Sequence, residues 1–394
     1  MLKTYKTAVI TTGRADYGLL YPLIKKLVNS NKYEVSIIAT GSHLSQAHGM
    51  TINEIEKDNF EVGYKIEMTQ KNDSNHDICK AVSAGLEGFS KAFRKIKPDF
   101  IIVLGDRYEL WSACVPAVIH KIPIVHIHGG EATYGLIDDS VRNCVTKMAS
   151  FHFTSIMSYA KRIIQMGEKR DNVFVVGALG IDNIKNIKYL TLKELSDFIG
   201  LNFEDKIAIM TFHPVTLEKR ELAKHQVENI LNSLLRFELS TIITMPNSDP
   251  AGILLYQEIH KYVLKYPQHF KFIKSLGQKT YLSVLKYAKL MIGNSSSGIL
   301  ESASFKLPVV NVGDRQAGRF KPDNIINANN TEQDISNAIK IALSDEFKQS
   351  ISNLENPYGD GNTASNIMNI LNSLDFNNKE TILKKGFQDL QFDY

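Results

Sequence analysis

Residues 7–28 read TAVITTGRADYGLLYPLIKKLV. Ala8 to Thr12 is a short β-branched run, the mark of a strand buried on both faces. Gly13 to Gly18 supplies a turn, and Leu19, Leu20, Leu23, Ile24 and Leu27 then recur at helical spacing. Repetition of such a strand, turn and helix builds a doubly wound parallel sheet. Further strand runs follow at Val35–Ala39, Phe100–Leu104, Ile124–His128 and Val173–Val176, with crossover helices predicted over Ile78–Ile96 and Trp111–Ile119. A second series then begins, with strands at Ile207–Thr211, Thr241–Met245, Phe270–Ile273, Leu290–Ile292 and Val309–Val312, and helices around Ile253–Leu264 and Tyr281–Ala288. The fold class is therefore α/β, with two Rossmann-like domains expected to face a central cleft. The divisions are an N-terminal domain over 1–185, a polar linker over 186–205 and a C-terminal domain over 206–365. The remainder, 366–394, is a C-terminal helix and a tail whose own pattern is unreadable beyond Lys384, with packing back on the N-terminal domain left open.

Composition narrows the function classes. A chain of 394 residues, 43% hydrophobic and 22% charged, has the make-up of an ordered globular enzyme rather than a disordered or fibrous protein. A net charge of +4 is too small to argue for nucleic acid or a membrane surface as partner, so any anion must be gripped locally. Cys79, Cys114 and Cys144 form no CxxC pair and suggest neither a disulfide framework nor a cysteine zinc site. The apolar runs are too short for a membrane helix or signal peptide, and the expected location is the cytoplasm.

In open α/β sheets, ligands bind beyond the carboxyl ends of the strands, and polar residues cluster there in this sequence. After the first strand, Arg14 could stand beside a helix N-terminus and hold a phosphate, or the segment could be a glycine turn capped by Asp16. Gly105-Asp106-Arg107 and His126-Ile127-His128-Gly129-Gly130-Glu131 place two carboxylates at neighbouring strand ends, against the simpler readings of a helix cap and a surface loop. His126 and His128, alternating on a strand, would share one face, but no further metal ligand is evident. Asp138 opens a helix and either caps it or projects into the cleft, the cap being the stronger reading. In the second half His213 and Asn247 follow strands. Gly293-Asn294-Ser295-Ser296-Ser297-Gly298 forms a Gly/Ser turn before a helix expected near Gly298, an anion cradle without the lysine of a P-loop or the spacing of GxGxxG. Glu301 is placed to accept from ribose hydroxyls. Arg315 lies in GDRQAGR, suited to a diphosphate unless it is a solvated basic loop.

Seven motifs in order, TGRADYG (12–18), GDRYE (105–109), HIHGGE (126–131), DDSVR (138–142), FHP (212–214), GNSSSG (293–298) and GDRQAGR (313–319), make the chain resemble the hydrolysing UDP-N-acetylglucosamine 2-epimerases of sialic acid biosynthesis. The resemblance implies a GT-B architecture with UDP on the C-terminal domain and the sugar toward the N-terminal one. It implies anti elimination of UDP to a 2-acetamidoglucal, then hydration to free N-acetylmannosamine. Asp106, Glu131 and Asp138 would be the acid/base carboxylates, their individual steps unassigned, with His213 beside the diphosphate. Arg14, Arg107, Asp182, Asn247, Ser295, Ser296, Gly298, Glu301 and Arg315 would bind the UDP-sugar. Neither metal nor other cofactor is implied, since the UDP-sugar is substrate and UDP is product; a homo-oligomer, dimer or tetramer, is.

A close alternative is the hydrolysing 2-epimerase of UDP-2,4-diacetamido-2,4,6-trideoxyglucose of the legionaminic acid route, whose sugar differs only at C4 and C6. Beyond it stand a non-hydrolysing epimerase, a GT-B glycosyltransferase and a non-catalytic nucleotide-sugar binder. The last gains nothing from three carboxylates beside a diphosphate sugar.

Overall fold

The computed structural model describes residues 4–46, 49–68, 74–133, 137–201, 206–214, 220–245 and 252–391. The first sheet contains β1 (Tyr5–Thr11), β2 (Tyr33–Thr40), β3 (Val62–Ile66), β4 (Phe100–Leu104), β5 (Ile124–Ile127), β6 (Phe151–Thr154) and β7 (Val173–Val175). They lie in the order β3-β2-β1-β4-β5-β6-β7, and the paired strands are parallel. The second contains β8 (Ile207–Thr211), β9 (Ser240–Thr244), β10 (Phe270–Ile273), β11 (Leu290–Gly293), β12 (Val309–Val312) and β13 (Ile325–Ala328), in the order β10-β9-β8-β11-β12-β13, again parallel. Both sheets reverse direction of winding beside their first strand, between β1 and β4 and between β8 and β11. A crevice opens at such a switch point, where flanking connections leave to opposite faces.

Alternation along the buried strands builds two apolar layers on the first sheet. Val9 and Ile102 face Leu20, Leu23, Ile24 and Leu27 of the helix Arg14–Val28. Ala8, Ile10, Ile101 and Val103 face Phe89, Phe93, Ala113, Val141 and Val145. Around the second sheet, Met210, Ile243, Ile292 and Val310 pack with Val227, Leu231, Ile259, Ile335 and Ile339 from three helices. Among the described residues no helix is long and apolar enough to cross a membrane.

The chain divides into two compact units at places other than those expected. Residues 1–131, 137–183 and 358–394 form the first, and 132–136 with 184–357 the second. The described part of the expected linker, 186–201, is not bare connecting chain. It holds the helix Leu192–Ile199, whose Leu195 and Ile199 are buried, and Leu190 N donates to Ser283 Oγ at 2.9 Å, tying it to the second unit. The second unit ends at Pro357 rather than 365, because the following segment belongs to the first: Ile367 and Leu371 of the helix Thr363–Ser373 enter its core, and Phe376 stacks on Phe100 at 3.9 Å between ring centroids.

Candidate functional site

In the first unit, two strand ends and one helix converge on a buried arginine. Arg142 lies on the helix Ile137–Met148, with only 2% of its side chain exposed. Its Nη2 donates to Asp106 Oδ2, just past the end of β4. Its Nη1 donates to Asp139 Oδ1 at 2.7 Å and to the carbonyl oxygen of Glu131, past the end of β5, at 2.9 Å. A guanidinium is the one side chain whose planar fork can hold three such acceptors at once. Asp138 stands half-buried in the first turn of the same helix, one turn before Arg142. Arg142 thus ties Asp106, Asp139 and the backbone of Glu131 to one cation, with Asp138 on the same helix.

His126 and His128 do not share a face. β5 stops at Ile127 and His128 has a left-handed backbone (φ +65°), so strict alternation ends before it. His126 Nε2 donates to Gly105 O at 2.8 Å, and its Nδ1 pairs with Thr146 Oγ1 at 3.2 Å. Burial pushes its pKa down to about 3, so the ring is a neutral brace at neutral pH rather than a proton donor. His128 Nδ1 donates to Glu131 Oε1 at 2.9 Å, while its buried Nε2 has no hydrogen-bonding partner among the described residues. Among those residues no three His, Cys, Asp or Glu side chains group so as to hold a metal ion.

The loop after β1 is organised by Asp16. Gly13 is the N-cap of the helix and Asp16 its third residue, not the cap itself; the carboxylate turns back to accept from Thr12 N at 2.6 Å and Gly13 N at 2.7 Å. Arg14, at the first helical position, pairs with Glu54 at 3.2 Å and is half-exposed. Arg107 donates twice to the buried carboxylate of Glu109, at 3.2 and 3.1 Å. Glu109 was not singled out in the sequence, although it stands in GDRYE and fixes its neighbour. Asp182 is a different case: its two oxygens accept from Thr363 N at 2.8 Å and Ala364 N at 2.7 Å, capping the helix Thr363–Ser373. Its carboxylate is thus a buried cap on that helix.

In the second unit the organiser is Asn294, which sequence reasoning passed over. Its Oδ1 accepts from His213 N at 2.7 Å and its Nδ2 donates to His213 O at 2.8 Å, so one amide clamps the turn after β8 to the turn after β11. Its carbonyl accepts from Arg315 Nη1 at 3.1 Å and Gln316 Nε2 at 2.8 Å, adding the turn after β12. His213, Arg315 and the serines are thereby gathered at three strand ends. The helix begins at Ser296, earlier than expected, and ends at Leu300, with Ser295 as its N-cap accepting from Ser297 N at 3.3 Å. Five residues make little macrodipole, so a grip on an anion here would come from local N–H and hydroxyl groups rather than from a long helix. Ser295 and Ser296 are half-buried there.

Ser297 Oγ donates to Glu301 Oε2 and accepts from Tyr281 OH at 2.7 Å. Burial raises the pKa of the Glu301 carboxyl. Gly298 is buried, and a side chain there would press on Val309 and Met291, so this glycine lets the helix lie close on the sheet. Asn247 lies outside the described residues. Gly293 has φ +133°, and a Cβ there would stand 2.0 Å from Thr211 O. Gly293→Ala is expected to cost roughly 2–5 kcal/mol, read as a lowered urea midpoint of the second unit. A melt like that of the wild type would show that the β8 and β11 turns need not approach so closely.

Comparison with known proteins places these sites in context. Residues 25–372 match the family described as UDP-N-acetylglucosamine 2-epimerase. The chain is 39% identical over 386 residues to a hydrolysing GDP/UDP-N,N'-diacetylbacillosamine 2-epimerase of Campylobacter jejuni, covering 98% of this chain and 99% of that one. It is 36% identical over 370 residues to a hydrolysing UDP-N,N'-diacetylbacillosamine 2-epimerase of Legionella pneumophila, covering 94% and 96%. Its fold is similar to the crystal structure of UDP-GlcNAc 2-epimerase from Neisseria meningitidis bound to UDP-GlcNAc, with a TM-score of 0.79 at 20% identity, over 94% of this chain and 100% of that one.

Proposed function

Because the chain belongs to the UDP-N-acetylglucosamine 2-epimerase family, we propose that it is a hydrolysing 2-epimerase acting on UDP-N,N'-diacetylbacillosamine, that is UDP-2,4-diacetamido-2,4,6-trideoxyglucose. The products are UDP and free 2,4-diacetamido-2,4,6-trideoxymannose. What carries the sugar is the likeness over nearly full length to two hydrolysing enzymes named for it. That likeness moves the reading from UDP-N-acetylglucosamine, which the motifs put first, to the alternative that they left open.

The chemistry rests on the carboxylates near Arg142, which grips that of Asp106 directly and the backbone carbonyl of Glu131. One of Asp106, Glu131 and Asp138 takes the proton from C2 as the C1–O bond breaks and its electron pair leaves with UDP. Water then adds its oxygen to C1, and a carboxyl group returns a proton to C2 from the other face. No carbonyl is conjugated to C2, so departure of UDP must run ahead of proton loss, and charge developing on the diphosphate needs positive partners. In this reading His213 and Arg315 supply them, Ser295 and Ser296 donate to the phosphates, and Glu301 accepts from the ribose. Positioned acid/base groups contribute roughly 10²- to 10⁴-fold each. The route draws on no metal or nicotinamide.

Side-by-side kcat/KM values test the sugar. The 4-acetamido-6-deoxy substrate is expected to be preferred over UDP-N-acetylglucosamine by about 10-fold or more, the discrimination that one or two small contacts can give. A preference for UDP-N-acetylglucosamine would return the reading to N-acetylmannosamine production.

A further inference from the structure

The C-terminal tail places a half-buried cation, Lys385, at the far end of the helix that carries Asp138 and Arg142. Lys385 Nζ donates to Lys147 O at 2.6 Å and Ala149 O at 2.7 Å, with Thr146 O at 3.4 Å, and pairs with Glu168 Oε2 at 2.7 Å. Its three N–H groups are therefore spent on the last carbonyls of the helix Ile137–Met148 and on one carboxylate. Carbonyls at a helix C-terminus have no partner within the helix and carry its negative end, so an ammonium there is well placed. The anchor is itself tied down. Glu168 also accepts from Lys147 Nζ at 2.6 Å and from His152 Nε2, on β6, at 3.1 Å. Gln388 N donates to Gly167 O at 2.9 Å, and the Phe387 ring sits so close over Gly167 that a Cβ there would lie 2.3 Å from it.

We propose that Lys385 is a positioning residue for the carboxylates of the first unit, acting through the helix Ile137–Met148. Two paths run from it. Along the helix, Thr146 is one turn from Arg142, which grips Asp106, Asp139 and the backbone of Glu131. Across to the sheet, Thr146 Oγ1 pairs with His126, and His126 donates to the carbonyl of Gly105, the residue before Asp106. Gly105 holds φ +84°, a turn that sets the direction in which Asp106 leaves β4. A twelve-residue helix is a stiff rod of about 18 Å, so loss of its C-terminal clamp is felt at Asp138 and Arg142. Misplacement of reacting groups by about 1 Å can cost on the order of 10²-fold in rate.

The consequence for turnover rests on the function proposed above; the mechanical link does not. Lys385→Met keeps the aliphatic stem that packs in the tail and removes the charge, whereas Lys385→Arg restores a cation. For Lys385→Met, kcat is expected to fall by about 10- to 100-fold with KM and UDP affinity within about 3-fold, since the UDP contacts lie in the second unit. Lys385→Arg should recover most of that loss. Amide hydrogen exchange, followed by mass spectrometry without substrate, should quicken in Lys385→Met over 137–149 and 104–107. Wild-type kcat in Lys385→Met, unchanged exchange in those segments, or a kcat loss that Lys385→Arg does not lessen would each overturn the proposal. A wild-type enzyme inert toward both UDP-sugars would overturn the proposed function instead, leaving the exchange measurement to decide the mechanical link.

Discussion

Asp106→Asn and Glu131→Gln are each expected to lower kcat by about 10²-fold or more while UDP affinity stays within a few-fold. Both substitutions keep the size of the side chain and much of its hydrogen bonding. Asp106→Asn still offers an oxygen to Arg142, and Glu131→Gln still offers one to His128 Nδ1. What they lose is the capacity to exchange a proton. On the proposed reading the UDP-binding groups belong to the second unit, so a calorimetric titration with UDP separates binding from chemistry. Supplying the glucal intermediate tells the steps apart: a variant that hydrates the glucal but cannot eliminate UDP has lost the group that meets C2. Near wild-type turnover in both variants would place the chemistry elsewhere.

Arg142→Met should have the largest effect on stability. The guanidinium is 2% exposed while Asp106 and Asp139 are 24% exposed, so removing it strands two carboxylates that water reaches only partly. Breaking a buried ion pair by deleting one partner costs about 3–5 kcal/mol, read as a fall in the urea midpoint of the first unit. Asp106→Asn made in the Arg142→Met background should then cost less than it does alone, because the stranded charge is gone. Arg142→Lys keeps the charge but not the fork and should fall between. Additive losses would show that Arg142 and Asp106 are not coupled. Activity is expected to fall in parallel, since the same contacts aim the carboxylates.

Much of the scaffold is legible from local pattern because parallel strands covered on both faces are continuous apolar runs. Phe100–Leu104 and Val309–Val312 coincide with β4 and β12. The strands that went unread lack that signature. β3, VGYKI, sits at the sheet edge with glycine and lysine exposed, and β6, FHFT, is four residues long with a buried histidine that only Glu168 explains. The strand ends were legible as places where polar side chains collect, and Arg142 ties Asp106 and the Glu131 backbone together there, with Asp139 as its second carboxylate partner. Roles set by distant partners were not legible. Asp182 looks like any polar residue after a strand until Thr363, 181 positions later, donates to it. Asn294 clamps three turns whose proximity exists only once β8, β11 and β12 are side by side. Lys385 stands in a tail with no periodicity, and its role rests on carbonyls more than 230 residues away.

The most direct test is to incubate the protein with UDP-N,N'-diacetylbacillosamine in deuterium oxide and follow the sugar signals by proton NMR. The expected result is UDP together with free 2,4-diacetamido-2,4,6-trideoxymannose carrying deuterium at C2. An epimerised sugar still joined to UDP, a free sugar that keeps its C2 proton, or no reaction would contradict hydrolysing 2-epimerisation through a glucal.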